Sequence, residues 1–191
     1  MVPRTMREAV ERFFLFTAAL GVLIVLSTAS AQAQVPRIIA PDEGDVRLIF
    51  SAGETVTEGR PLLIKVDPVT VGATQFVFGT ELLRPGQKIP VHRHANQEEL
   101  LFVHQGTATI TLGEKTALAG PGSTVFIPRN VWIGVENRGT EPALIAFVFP
   151  MVGMEGFFRR VAPKPGETPV PLSPQDRQEL FEKFQIFPKG R

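Results

Sequence analysis

The stretch GQKIPVHRHANQEELLFVHQG, Gly86–Gly106, holds all three histidines of the chain and decides how the rest is read. His92 and His94 are separated by one residue, and in an extended segment residues i and i+2 face the same side, roughly 6.5–7 Å apart. The two imidazoles can therefore converge on one ion while Arg93 points away. They make half of a metal site, and the remaining ligand has to come from a neighbouring strand.

After the polar turn Ala95-Asn96-Gln97 the chain enters an apolar strand through Glu98 and Glu99. Alternation places Glu99, Leu101 and Val103 on one face and Glu98, Leu100, Phe102 and His104 on the other, so one glutamate at most shares an interior with the histidine pair. His104 lies on the face opposite Glu99 and is expected to look outward. Taken alone, the spacing also suits two surface turn histidines and a solvated strand end.

The whole stretch resembles the first motif of the cupins: glycine, five residues, His-x-His, three or four residues, Glu, six residues, glycine. Gly86, His92, His94, Glu99 and Gly106 occupy those positions in order. The resemblance selects Glu99 over Glu98 and implies a metal held by His92, His94 and Glu99. A two-histidine, one-carboxylate set suits divalent Fe, Mn, Ni, Co or Zn. The second cupin motif is matched in frame by Gly122, Pro128 and Asn137, with two departures. Asn130 stands where glycine is usual, a mild change because Asn tolerates positive φ. Ile133 stands where the fourth ligand, a histidine, is usual, and is expected to leave a dry three-ligand site.

Around this core, Leu62–Val66, Thr74–Leu83, Ala108–Leu112, Thr116–Ala119, Thr124–Ile127, Val131–Glu136 and Ala143–Phe149 read as short strands punctuated by Gly, Pro and Asn. That spacing indicates an all-β sandwich or barrel. The resemblance narrows it to a double-stranded β-helix, the jelly roll or cupin barrel. In Thr74–Leu83 the face carrying Phe76 and Phe78 is expected to pack inward. Residues 34–61 read as an irregular arm with a strand candidate at Val46–Phe50, residues 62–150 as the barrel, and 151–191 as an extension. Gly153–Val161 suits a short helix. Ser173-Pro174-Gln175-Asp176 suits a helix start, with Leu180, Phe181 and Phe184 on the apolar face.

At the other end, Arg4, Arg7 and Arg12 precede an apolar run, Phe13–Leu26, and small residues suited to cleavage after Ala31 or Ala33. Residues 1–33 therefore read as a secretory signal peptide, and the mature protein is expected to be periplasmic or secreted. The run has 14 residues, short of the roughly 20 needed to span a bilayer. Of the 20 basic and 19 acidic residues, removal of Arg4, Arg7, Arg12, Glu8 and Glu11 leaves 17 of each. Such a balance exerts no long-range pull on nucleic acid or an anionic membrane. The chain has no cysteine and no tyrosine, which excludes thiolate chemistry and any mechanism that needs a phenol as acid or base.

Two functional classes remain open. One, implied by similarity to quercetin-dioxygenase-like small cupins, is an exported metal-dependent oxidoreductase acting on a small enolic or phenolic compound, with Glu99 as the candidate base. The other is a non-catalytic small-molecule or metal-binding module, favoured by Ile133. Trp132 either lines the pocket mouth or is a half-buried rim residue. Gln87, Glu81 and Arg129 are polar orienters or ordinary turn and surface residues, and Ile133 joins Gln87 and Trp132 as candidate pocket lining. The resemblance also implies a homodimer through sheet edges.

Overall fold

The computed structural model describes residues 34, 36–50 and 59–190; the expected signal peptide lies outside the described residues. Its strands are β1 (Asp45–Ile49), β2 (Arg60–Val66), β3 (Val77–Leu83), β4 (Lys88–His94), β5 (Glu99–Gln105), β6 (Ala108–Leu112), β7 (Lys115–Ala119), β8 (Thr124–Ile127), β9 (Ile133–Glu136), β10 (Ala143–Phe149) and β11 (Ile186–Pro188). Two helices follow the strand run, α1 (Met154–Val161) and α2 (Pro174–Phe184). The strands form a six-stranded sheet ordered β1-β2-β3-β10-β5-β8 and a five-stranded sheet ordered β11-β4-β9-β6-β7. Every pair is antiparallel. This is the all-β architecture expected from the spacing and the jelly roll implied by the resemblance, and the strand candidate in the arm is present, hydrogen-bonded to β2.

Alternation sets the interior. On β5, Glu99, Leu101 and Val103 are buried while Leu100, Phe102 and His104 are exposed, as period 2 requires. On β3 the expectation is reversed: Val77, Gly79, Glu81 and Leu83 are buried, Phe76 is exposed and Phe78 is only partly covered. The reason lies in the partners of that face. A side chain at Gly79 would collide with the Phe147 ring and the Leu63 carbonyl, and Glu81 is held inside by Arg60, with Nε 2.7 Å from Oε1. The strand also starts at Val77 rather than Thr74.

The motif frame is a set of backbone requirements. Gly106 has φ +71° and no room for a Cβ against the Pro142 carbonyl. Asn130, where the resemblance leads one to expect glycine, adopts φ 63°, a conformation its short polar side chain tolerates. Asn137 is fully buried; its Nδ2 donates to the carbonyls of Leu83 and Glu141, both at 2.8 Å, and its Oδ1 accepts from Gly139 N–H at 3.0 Å. One side chain thus ties together the β3 end and the turn before β10.

The C-terminal extension closes onto the barrel. Phe158 of α1 packs against Phe147 and Phe149 of β10, with ring centroids 5.3 and 6.3 Å apart. Arg159 bridges Asp45 (2.8 Å) and Asp67 (2.5 Å), fixing the helix to β1 and the β2–β3 connection. Helix α2 starts as its sequence indicates, the Ser173 hydroxyl accepting from Asp176 N–H at 3.1 Å. Phe181 and Phe184 meet Phe157 of α1 at 6.2 and 5.8 Å. Gln185, in the left-handed region, then turns the chain into β11.

Asn137→Ala strands two buried carbonyls and one N–H, and a penalty of about 2–4 kcal/mol in urea unfolding is expected. A loss within about 0.5 kcal/mol would mean that water or neighbouring groups replace those bonds.

Candidate metal centre

Strand β4 is held from both sides. Towards β9 its ladder slips between Ile89 and His92, placing His92 opposite Ile133; such an irregularity re-aims side chains where a regular ladder would not. Towards β11, Ile186 lies opposite His94 and Pro188 opposite His92. The Asn130 N–H donates to the His94 carbonyl at 2.7 Å. Glu99 enters from the other sheet as the first residue of β5, opposite Ile127 of β8.

The three predicted ligands come together. His92 Nε2 lies 3.2 Å from His94 Nε2, and His94 Nε2 lies 3.4 Å from Glu99 Oε2. One ligand atom from each of the three falls within 4.8 Å of the others. Imidazole nitrogens and carboxylate oxygens that share an ion at about 2.1 Å are roughly 3.0–3.4 Å apart in octahedral or tetrahedral geometry, and the 3.2 and 3.4 Å separations about His94 Nε2 fall in that range.

The polar bookkeeping points the same way. His92 Nδ1 is 2.8 Å from the Pro90 carbonyl; a carbonyl only accepts, so Nδ1 carries the proton and Nε2 presents its lone pair. Glu99 Oε2 and His94 Nδ1 are buried without a hydrogen-bond partner among the described residues. An unsatisfied buried carboxylate oxygen is costly, and a cation at the convergence of Oε2 and the two imidazoles would satisfy it. Burial, reinforced by neighbouring His94, holds the His92 pKa below the usual imidazole range, against the opposing pull of Glu99 and the Pro90 carbonyl. His92 is thereby kept neutral, the form that ligates.

Around the centre the walls are apolar. The His94 ring meets Phe149 edge-on at 5.2 Å, and Ile133, 1% exposed, belongs to the hydrophobic core. Two hollows of about 430 Å³ each lie elsewhere, one lined by the arm and Arg159, the other across the outer side of β4, β9 and β6; neither is lined by His92, His94 or Glu99.

Several weaker candidates are placed differently. Gln87 serves the β3–β4 turn, its Oε1 accepting from Arg84 N–H at 2.9 Å. Trp132 stacks against Arg93, whose guanidinium carbon is 5.3 Å from the ring centroid, and Arg93 is the residue pointing away from the centre. Arg129 and His104 are exposed, whereas Glu81 is interior and paired with Arg60. Sequence reasoning missed Phe149, although it sits on the same parity of β10 as buried Ile145 and Phe147. It also missed β11, whose three residues including a proline carry no periodic signal.

Residues 79–149 match the family model described as Cupin domain. Polyketide synthase CurC of Streptomyces cyaneus is 33% identical over 89 residues, 47% of this chain and 58% of that relative; the match thus spans little more than half of the relative's length. Among solved structures, a cupin-superfamily sugar phosphate isomerase of Silicibacter pomeroyi aligns with TM-score 0.51 at 23% identity, covering 61% of this chain and 76% of that one. A predicted oxalate decarboxylase of Thermotoga maritima aligns with TM-score 0.52 at 15% identity, covering 61% of this chain and all of that one. At those identities the structural likeness establishes the double-stranded β-helix fold and nothing further.

The depressed His92 pKa sets a pH dependence. The unfolded imidazole protonates near pH 6.5 and the folded one only at lower pH, so stability present above that value is lost as pH falls towards the folded pKa. In chelator-treated protein the melting temperature is expected to drop between about pH 7.5 and 5.5, and His92→Gln to flatten that drop. An equal slope in both proteins would place the proton uptake elsewhere.

Proposed function

We propose, for a chain carrying a cupin domain over residues 79–149, that it is an exported cupin that binds a divalent transition metal through His92, His94 and Glu99. We further propose that it oxidises a small enolic or phenolic compound, O₂ supplying both added oxygen atoms. The observation that carries this reading is the convergence of two imidazole Nε2 atoms on a buried carboxylate. When bound, the ion would supply Lewis acidity, which makes a coordinating enol or phenol acidic at neutral pH.

The chain's own residues supply the rest. Glu99 would hold the ion through Oε2, which has no hydrogen-bond partner among the described residues, and would accept the substrate's hydroxyl proton only by releasing the ion. With no tyrosine in the sequence and His104 exposed, Glu99 is the base best placed for this. Phe149 and Ile133 keep the surroundings apolar, which strengthens electrostatic interactions and excludes water from a reactive anion. Similarity to a protein named for polyketide synthesis supports the substrate class, because polyketide chains are rich in 1,3-dicarbonyl units that enolise and aromatise.

The second reading, a cupin that binds a small molecule or an ion without catalysis, is favoured by Ile133, which the resemblance aligns with the usual fourth-ligand position. Elemental analysis after metal supplementation separates the outcomes. The metal reading predicts close to one ion per chain for the wild type and far less for His92→Ala; identical sub-stoichiometric contents would sink it. Stoichiometric metal without O₂ uptake across a panel of catechols and 1,3-diketones would favour the second reading. Ile133→His is expected to tighten metal binding by about 10-fold or more; unchanged affinity would mean that residue 133 does not face the centre.

A further inference from the structure

Between the two histidines of β4, the Arg93 guanidinium is held from both sides by aromatic rings, Trp132 at 5.3 Å and Phe187 at 5.1 Å. Its Nη1 donates to Asn130 Oδ1 at 2.8 Å, and its Nε is buried without a hydrogen-bond partner among the described residues. Ring faces therefore make up much of its surroundings, an arrangement that attracts a delocalised cation most strongly where water is excluded. Lys189 adds a second cation 5.9 Å from the Trp132 ring.

These contacts converge on the backbone that carries the ligands. Phe187 is the β11 residue opposite Arg93, and β11 is anchored at both ends, Ala95 N–H to the Gln185 carbonyl and Lys189 N–H to the Val91 carbonyl, each at 2.9 Å. Asn130 grips β4 twice, through Oδ1 to Arg93 and through its N–H to the His94 carbonyl at 2.7 Å. Without β11, β4 would be the free edge of its sheet.

We propose that Arg93, Trp132 and Phe187 are positioning residues: an outer clamp that locks the register and tilt of β4 and so presents His92 and His94 to Glu99 as a preformed pair. The inference rests on the metal reading above and extends it. A site with Ile133 in place of a fourth ligand has fewer bonds to orient its imidazoles, and the clamp supplies that orientation from outside the barrel. It also gives a shared role to two features that depart from the motif or escape it, Asn130 at φ 63° and the terminal strand.

The test is titration of the full-length protein with Co(II), read by visible absorption and by dissociation constant. Trp132→Ala and Phe187→Ala are expected to weaken Co(II) binding about 10- to 100-fold, the usual effect of removing an outer support of a metal ligand, and to alter the Co(II) bands while far-UV circular dichroism is retained. Trp132→Phe should restore most of the affinity. Phe126→Ala, removing an aromatic of the other sheet's outer face that is 55% exposed, should leave affinity unchanged. Should Trp132→Ala fail to fold, truncation after Gln185 carries the same prediction. Lower melting temperatures with unchanged Co(II) affinity and spectrum, or equal weakening by Phe126→Ala, would overturn the clamp alone. A wild type that binds no Co(II) would overturn the metal reading and the clamp with it.

Discussion

A carboxylate and two imidazoles are pressed together between two sheets, and the chain has to hold them there. His94 and Glu99 are 2% and 7% exposed, and leaving an ionised carboxylate partly unpaired in such a place costs several kcal/mol. Residues chosen for stability alone would not put them there, since apolar side chains of similar volume would pack without that penalty. The arrangement is intelligible when a cation completes it, because one ion satisfies Glu99 Oε2 and both Nε2 lone pairs at once.

The fold works to keep this arrangement fixed. The three side chains come from different sheets, His92 and His94 from the five-stranded one and Glu99 from the six-stranded one, so the cluster depends on how the sheets pack. Phe149 meets the His94 ring and is itself backed by Phe147 and Phe158, and Arg159 ties α1 to Asp45 and Asp67. A second buried polar pair, Arg60 with Glu81, lies elsewhere on the inner face of the larger sheet. Burial raises the Glu81 pKa, Arg60 opposes that, and Glu99 adds a smaller upward push. With the pair this close, Arg60 fixes Glu81 in place, and we read it as structural: removing one partner of such a pair typically costs about 3–5 kcal/mol.

What was legible in the sequence follows from locality. The His-x-His spacing, the alternation of β5 and the Ser173 cap are local rules, and the structure reproduces each. The inward face of β3 was misread because hydrophobicity ranks phenylalanine above glutamate and glycine. The face is decided instead by contacts distant in sequence, the Phe147 ring over Gly79 and Arg60 beside Glu81. Strand β11 was invisible for a related reason: three residues, one of them proline, pair with β4 only once the barrel and α2 have placed them. Trp132, open in the sequence between a pocket-mouth and a half-buried rim residue, is half-buried and meets Arg93, the residue that points away from the centre.

The central claim is that one cation sits where the two sheets' ligands meet. Crystals of the protein soaked with Co(II) or Zn(II), examined by anomalous scattering at the metal edge, test it directly. The account predicts a single strong peak about 2.0–2.2 Å from His92 Nε2, His94 Nε2 and a Glu99 oxygen, with Ile133 making no bond to it. A peak coordinated by other residues, or no peak at that point while the three side chains stay as described, would contradict it.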